Sequence, residues 1–162
     1  IRKINKKTNL YSTRKTAPGL RYFDKEAVKI GGGHKHRMAL DDMVMIKDNH
    51  LLICNSMEDI IKNARKRHKH VEVEVENQKD AILAANCGAA IVMLDNFSPI
   101  QIKKTITALQ KKKLRNKVKL EASGGINSKN ITAYAKTGVD IISVGSITNS
   151  VSGLDLSLEV CV

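Results

Sequence analysis

The chain of 162 residues contains no tryptophan, two phenylalanines and three tyrosines. Modules that bind single-stranded nucleic acid stack bases on aromatic side chains, so this scarcity argues against a nucleic-acid partner. The three cysteines, Cys54, Cys87 and Cys161, are far apart and show no C-x-x-C spacing. That pattern predicts neither a disulfide framework nor a zinc ribbon, and we expect all three to be buried apolar residues of a cytoplasmic protein.

Long apolar runs and acidic residues are also in short supply. No run approaches the roughly 20 residues of a membrane-spanning helix, and the start, IRKINKKTNL, lacks the hydrophobic segment of a secretory signal, so we expect no membrane partner. Only 16 acidic residues oppose 28 basic ones, and the net charge of +12 predicts attraction to anions. Because aromatic residues are so few, small anions are favoured over nucleic acid as the partner. The 42% apolar content is enough for one domain with its own core.

The cations gather in residues 12–49, beside the turn sequences Pro18-Gly19 and Gly31-Gly32-Gly33. Among them are Arg14, Lys15, Arg21, Lys35, Arg37 and Lys47. Cations between turns suit a concave anion site, because guanidinium groups bind carboxylate or phosphate in bidentate fashion and glycine lets backbone N–H groups approach the ligand. A solvated basic surface is the alternative.

Strand and helix patterns alternate along the chain. Apolar runs predict six strands, at residues 9–13, 43–47, 71–75, 90–94, 118–122 and 140–144, and a further amphipathic strand at 154–162. The intervening helices are expected to be capped by Asp24, Ser56, Asn77, Ser98 and either Asn127 or Ser128, and Ala27 and Val28 of the first helix are expected to face the core. The alternation predicts right-handed βαβ units. We favour an α/β fold, an open or incomplete parallel TIM-like barrel of about six strands, over a doubly wound sheet.

Polar residues stand at the C-terminal tips of the predicted strands, the rim at which such barrels build their sites. They are Arg14, Lys15, Lys47, Glu74, Asp95, Ser123 and Gly145. Glu74 and Asp95 lie among many cations, which indicates either a Mg²⁺ ion bridging diphosphate oxygens or stabilisation of a cationic sugar intermediate.

Two glycine turns follow the last predicted strands. Residues Ser123, Gly124, Gly125 and Ile126 directly precede a predicted helix, so their N–H groups suit a phosphate. Gly145 and Ser146 add a second set of donors. This pair of loops matches the way in which barrels grip phosphate with their last loops.

Two other polar patterns leave alternatives open. Glu72, Glu74 and Glu76 share one face of a predicted strand, which indicates either a polar cavity or an edge strand with a wet face. His34, His36 and His50 have no cysteine or carboxylate at metal-binding spacing, so we favour His36 as a hydrogen-bond donor to substrate over a histidine metal site.

Seven motifs, in order and over essentially the whole chain, resemble the quinolinate phosphoribosyltransferases, or carboxylating nicotinate-nucleotide pyrophosphorylases. They are TRKTAPGLR, GGGHKHR, MIKDNH, VEVEVEN, IVMLDNFSP, LEASGGI and ISVGSIT. The resemblance implies that residues 1–162 are a catalytic barrel domain, without the family's N-terminal α/β sandwich domain. It also implies a homodimer or higher homo-oligomer formed through that domain. We therefore expect residues 1–162 alone to be far less active than a longer chain.

The family's reaction joins quinolinate to 5-phosphoribosyl 1-diphosphate and releases diphosphate and CO₂ to give nicotinate mononucleotide. The resemblance assigns the dicarboxylate and diphosphate to Arg14, Lys15, His36, Arg37 and Lys47, and the 5-phosphate to Ser123, Gly124, Gly125, Gly145 and Ser146. Glu74 and Asp95 would hold Mg²⁺ or offset the oxocarbenium charge, and with Lys15 and Lys47 would form the catalytic set. One departure is Asn149, where many members have histidine.

Two rival functions remain open from the sequence. A sister enzyme, nicotinate phosphoribosyltransferase-like or associated with molybdenum transport, could share these motifs. A basic nucleic-acid-binding module is the alternative from another class, and a steep salt dependence of binding would favour it.

Overall fold

The computed structural model describes residues 1, 3–54 and 56–160. A six-stranded, entirely parallel sheet runs in the order β1-β6-β5-β4-β3-β2. The strands are β1 Asn9–Tyr11, β2 Val44–Ile46, β3 Val71–Val75, β4 Ile91–Asp95, β5 Lys119–Ser123 and β6 Ile141–Ser143. The prediction of a parallel α/β fold with six strands is confirmed, with each strand within two residues of its predicted bounds.

Helices connect the strands and cover one face of the sheet. They are α1 Arg21–Ile30, α2 Asp48–Ile53, α3 Met57–Arg67, α4 Gln78–Asn86, α5 Pro99–Lys111, α6 Ile131–Ala135 and α7 Ser146–Asn149, with a 3₁₀ turn at Arg115–Lys117. The predicted caps Ser56, Asn77 and Ser98 each accept a backbone N–H three residues ahead, as expected for short polar side chains at helix starts.

The strand order is that of a barrel. From β2 to β6 each strand pairs with its successor, and β1 lies beside β6. A doubly wound sheet would instead reverse direction at a switch point. The two edges, β1 and β2, face an irregular segment, residues 34–37, in which His34 makes a bridge to Tyr11. The molecule is therefore an open parallel barrel with this segment at its seam.

The two faces of the sheet differ in polarity. Val71, Val73 and Val75 of β3 point outward and are buried with apolar residues of α4 and α5, such as Ala84 and Ile102. The alternate residues of the strands point inward and are largely polar. Because successive strand side chains alternate in direction, one face builds the core while the other builds the barrel interior.

Helix α1 differs from its prediction. It begins at Arg21, after Leu20, so Asp24 lies in the first turn and its carboxylate accepts the Ala17 N–H instead of capping the helix. Ala27, expected to face the core, is exposed, and the buried residue of the helix is Lys25. A buried polar contact of Lys25, described below, sets the helix orientation in place of an apolar stripe.

Helix α6 also starts later than expected. Asn127 does not cap it but accepts the Lys129 N–H, and its own N–H binds the Asn130 side chain. Asn130 then donates to the carbonyl of Gly125. These contacts fold residues 127–130 into turns, so the helix begins at Ile131 and not directly after the glycine loop.

Two further predictions, for the C-terminal segment and for the cysteines, differ from the structure. Residues 154–160 are exposed and belong to no strand, since no partner strand is present among the described residues. Residues 161–162 of that predicted strand lie outside the described residues. Cys87 is buried as expected, Cys54 is exposed, and Cys161 lies outside the described residues. Of the helices described, none is long and apolar enough to cross a membrane.

Candidate active site

A cavity of about 320 Å³ opens at the C-terminal ends of the strands. It is lined by four of the predicted cations, Arg14, Lys15, Arg37 and Lys47, by His36, and by both predicted carboxylates, Glu74 and Asp95. This volume is at the small end of the range for ligand pockets, which suits a compact anion. The fold thus brings together residues that are up to 81 positions apart in the sequence, from Arg14 to Asp95.

Two arginines in this cavity carry unused donors. The Nε atoms of Arg14 and Arg37 are buried and have no hydrogen-bond partner among the described residues. The Arg37 Nη atoms donate to the carbonyl of Met43 at 3.2 Å and to the Met45 sulfur at 3.0 Å. A buried donor without an acceptor costs about 1–3 kcal/mol, so these Nε atoms favour an anionic ligand at this position.

Lys47 and Glu74 form an ion pair on the cavity wall. The Lys47 Nζ lies 2.6 Å from the Glu74 carboxylate, and both side chains are partly exposed to the cavity. Lys47 stands directly after β2 and Glu74 within β3, so strand pairing brings them together. The pair places both charge signs at one edge of the site.

Asp95 ends β4 and accepts a hydrogen bond from the Asn96 side chain at 2.7 Å. The described residues contain one group of three or more candidate metal ligands, and neither Glu74 nor Asp95 is in it. The two carboxylates alone therefore do not enclose an ion. They do fit Mg²⁺ held jointly with substrate, because Mg²⁺ commonly takes one or two carboxylates together with phosphate oxygens.

A second cavity, of about 430 Å³, adjoins the first and is built largely from the glycine turns. It is lined by all five residues predicted to hold phosphate, Ser123, Gly124, Gly125, Gly145 and Ser146. Gly124 has φ 91°, and a Cβ there would lie 2.7 Å from the backbone nitrogen of Asn96. Only glycine fits this left-handed turn against the β4 loop.

The two cavities share a wall. Lys15, Asp95 and Ser123 line both of them. Lys15 is held in place by its carbonyl, which accepts a hydrogen bond from Thr148 of α7 at 2.7 Å. A single extended ligand, or two ligands in contact, can therefore reach from the arginines to the glycine turns.

Two of the predicted cations and two histidines do not line either cavity. The Arg21 guanidinium donates to the Met38 carbonyl, and Lys35 pairs with Glu26. His34 stacks on a tyrosine, and His50 accepts the Lys47 N–H. The basic segment thus divides into cations that line the site and residues that hold its backbone.

Lys25 is another residue that holds the backbone of the basic segment instead of lining a cavity. Its ammonium is fully buried and donates to the Lys35 carbonyl and to the Ser12 hydroxyl, the latter at 3.3 Å. Burial, followed by the nearby charges of Arg21 and Arg14, lowers the pKa of Lys25 to about 8. Burial of Lys25 could not be predicted from the sequence, because a lysine in a helix normally points to solvent.

A cluster of three titratable groups lies in the barrel interior and was missed by the sequence analysis. The His36 Nε2 lies 3.6 Å from a carboxylate oxygen of Glu72 in β3 and 3.6 Å from one of Glu121 in β5. Both carboxylates are fully buried. Side chains alternate in direction along β3, so Glu72 and Glu74 both point into the polar interior of the barrel. Glu76, after the end of the strand, is exposed.

His36 itself is conformationally and electrostatically unusual. Its φ of 55° is left-handed, which costs a residue with a Cβ roughly 1–2 kcal/mol. Burial lowers the pKa of His36, but the interaction with the buried carboxylates of Glu121 and Glu72 outweighs it and raises the pKa to about 9. The carboxylate partners of His36 come from β3 and β5, so none of them lies near His36 in the sequence.

The chain matches the family described as "Quinolinate phosphoribosyl transferase, C-terminal domain" over residues 1–159. It is 51% identical over 162 residues to a probable nicotinate-nucleotide pyrophosphorylase (carboxylating) of Methanothermobacter thermautotrophicus, covering 98% of this chain and 58% of that protein. A similarly named protein of Archaeoglobus fulgidus is 46% identical over 159 residues, covering 98% and 62%. The crystal structure of NadC from Streptococcus pyogenes is 39% identical with a TM-score of 0.86, covering 96% and 54%. The chain therefore spans little more than half the length of these relatives.

Proposed function

The chain belongs to the quinolinate phosphoribosyl transferase C-terminal domain family, and we propose that it carries the site for phosphoribosyl transfer to quinolinate. The transfer from 5-phosphoribosyl 1-diphosphate releases diphosphate and CO₂ and gives nicotinate mononucleotide, a step of NAD biosynthesis. The observation that carries the proposal is the pair of unsatisfied Nε donors of Arg14 and Arg37 in a small cationic cavity. A pyridine dicarboxylate supplies acceptors for both.

The first cavity is the proposed quinolinate site. Arg14 and Arg37 would bind its two carboxylates, since a guanidinium group matches a carboxylate in a planar, bidentate contact. Lys15 and Lys47 add positive charge on either side, and the His36 ring forms part of the wall. Nicotinate lacks the 2-carboxylate, so it would leave one arginine unsatisfied.

The reaction needs little proton transfer. The pyridine nitrogen attacks the anomeric carbon of the sugar, and the bond to diphosphate breaks with its electron pair leaving on oxygen. The carbon–carbon bond to the 2-carboxylate then breaks, CO₂ leaves, and the pyridinium ring stabilises the electron pair until a proton replaces it. Positioning and charge stabilisation by the cavity would supply most of the catalysis.

Glu74 and Asp95 are the proposed carboxylates for the sugar half of the reaction. Mg²⁺, when bound there with substrate, would neutralise the charge of the leaving diphosphate. The same carboxylates can offset the positive charge that develops on the ribose. The ion pair of Glu74 with Lys47 links this half of the site to the quinolinate half.

The second cavity is the proposed site of the 5-phosphate. Ser123, Gly124 and Gly125 on one side and Gly145 and Ser146 on the other surround it, which lets backbone N–H groups face an anion. Asn149 also lines this cavity, so the departure from the family's histidine would put an amide beside the proposed phosphate. Mg²⁺, a homodimer and a cytoplasmic location stay predictions.

A substrate comparison tests the proposal. The complete protein is mixed with 5-phosphoribosyl 1-diphosphate and either quinolinate or nicotinate, and diphosphate and CO₂ are measured. We expect diphosphate and CO₂ in equal amounts with quinolinate, and little product with nicotinate. Faster turnover of nicotinate, or diphosphate release without CO₂, would favour a sister enzyme instead.

A further inference from the structure

The segment of residues 34–37 fills the seam between the two edge strands and is fixed at several points. On the β1 side, the His34 N–H donates to the Leu10 carbonyl. In its middle, the Lys35 carbonyl accepts hydrogen bonds from Lys25 and Ser12. On the β2 side, Arg37 donates to the Met43 carbonyl. Since Arg37 is the last residue of this segment, its position depends on how the segment is held.

His36 is the anchor of the segment toward the barrel interior. Its Nδ1 accepts the backbone N–H of Arg37 at 2.7 Å, and its Nε2 faces Glu72 and Glu121. Both ring nitrogens are thus directed at protein groups. His36 can therefore act on a ligand in the cavity through Arg37 more readily than through its own ring nitrogens.

Burying two carboxylates here is costly, and apolar side chains occupy the adjacent positions. In the strand register Glu72 lies beside Met45, and Glu121 lies beside Met93. Apolar residues of similar volume are often as stabilising as buried charges, so packing alone does not account for glutamate at both positions. Their four oxygens have no hydrogen-bond partner among the described residues, and each carboxylate has one oxygen 3.6 Å from the His36 Nε2.

The same three side chains could also hold a metal ion, because their ligand atoms lie within 4.8 Å of one another. The His36 ring argues against this. A neutral imidazole that binds a metal through Nε2 carries its proton on Nδ1. That proton would point at the Arg37 N–H, whereas the observed contact requires Nδ1 to accept.

We propose that Glu72 and Glu121 are positioning residues: they hold the His36 ring from two separate strands and so fix the left-handed turn that places Arg37 in the cavity. Glu121 also lines the first cavity, and the comparison with and without Arg37 separates its positioning role from a direct contact with the ligand. The proposal rests on the proposed function only for the ligand used to detect it, quinolinate.

A double-mutant cycle in the complete protein tests the coupling. Quinolinate affinity is measured by calorimetry for the unaltered protein, Glu121→Gln, Arg37→Ala and the double variant, and the series is repeated with Glu72→Gln. We expect each glutamine to weaken binding about tenfold with Arg37 present and less than twofold with Arg37 absent. Glu76→Gln, an exposed glutamate after the same strand, is the matched control and should leave the affinity unchanged.

Two results of this cycle would overturn the proposal. One is an unchanged affinity in both folded glutamine variants. The other is a tenfold loss that persists without Arg37, which would show that the carboxylates act on the ligand or on stability by another route. Should Glu121→Gln fail to fold, Glu72→Gln carries the same test.

Nitrogen-15 NMR of the His36 ring gives a readout that needs no substrate. In the ligand-free protein above pH 9, where the His36 ring is neutral, we expect a protonated Nε2 and an unprotonated, hydrogen-bonded Nδ1, and both signals should move in Glu121→Gln. A proton on Nδ1 of the neutral ring, or loss of the Nε2 proton on adding stoichiometric Zn²⁺ or Mn²⁺, would overturn the proposal in favour of a metal site. Absence of quinolinate binding to the unaltered protein would refute the proposed function and leave this NMR test intact.

Discussion

Residues 71–145 and residues 9–50 contribute to the same cavity but are stabilised in different ways. In the later region most strands have five residues and the helices α4 and α5 are capped by their own neighbours, Asn77 and Ser98. In the earlier region the strands have three residues, and the backbone is held by side chains from elsewhere, such as Lys25. The regular region therefore supplies carboxylates and glycine turns on a rigid frame, whereas the cationic wall depends on long-range contacts.

The largest effect is expected from the carboxylates of the regular region. The variants Asp95→Asn and Glu74→Gln keep the side-chain size. They remove the negative charge that the proposed mechanism needs beside the ribose and the diphosphate. Turnover should fall on the order of 100-fold while quinolinate affinity stays largely intact, since the charge acts mainly in the transition state. Steady-state kinetics and calorimetry check this, and lost quinolinate binding with unchanged turnover would contradict the assignment.

The cations of the irregular region should show the opposite pattern. Replacing Arg14, Arg37 or Lys47 by Ala should weaken quinolinate binding by about 1.5–3 kcal/mol, the range for charged hydrogen bonds, with little change in melting temperature. Arg67→Ala, at the exposed end of α3, is the control cation. Near-normal affinity in all three variants would show that the cationic wall is not the ligand site.

The glycine turns allow a comparison within the regular region. Gly124 and Gly125 both have positive φ, but a Cβ has open space at Gly125 and meets Asn96 at Gly124. Gly125→Ala should cost about 1 kcal/mol of unfolding free energy from backbone strain, and Gly124→Ala more. Thermal unfolding and the KM for 5-phosphoribosyl 1-diphosphate are measured for both variants. Equal effects of the two substitutions would contradict the close approach of Gly124 to Asn96.

The smallest effect concerns the buried ammonium of Lys25. Its folded pKa, about 8, is below the ordinary value of 10.5, so between these values the unfolded chain binds more protons and stability rises with pH. Relative to Lys25→Met, the unaltered protein should gain about 1 kcal/mol between pH 8 and pH 9. Denaturant unfolding at the two pH values measures this difference, and a parallel pH response in both proteins would mean that Lys25 is not desolvated.

Local patterns predicted the regular region well. The alternating valines predicted β3, and the Ser98-Pro99 pair predicted the start of α5. Both predictions are confirmed because these patterns depend on only a few neighbouring residues. The same reasoning failed for α1, where Ala27 is exposed and Lys25 buried. A helix face is chosen by what it packs against, and the partner of Lys25 is a carbonyl ten residues away that no periodicity reveals.

The candidate site was likewise predicted only in part. The residues at strand tips could be named, because parallel strands bring their C-terminal ends to one edge and because the family resemblance orders the motifs. The cluster of His36, Glu72 and Glu121 could not, since it joins a loop to two strands that are not neighbours. That the two cavities share Lys15 and Asp95 was likewise visible only in three dimensions.

Calorimetric titration of quinolinate into the complete protein and into its Arg37→Ala variant tests the central claim most directly. The account predicts saturable binding at one site per chain, at least tenfold weaker in the variant, with nicotinate binding more weakly than quinolinate to the unaltered protein. Equal affinity of quinolinate for both proteins, or no binding to the unaltered protein, would contradict it.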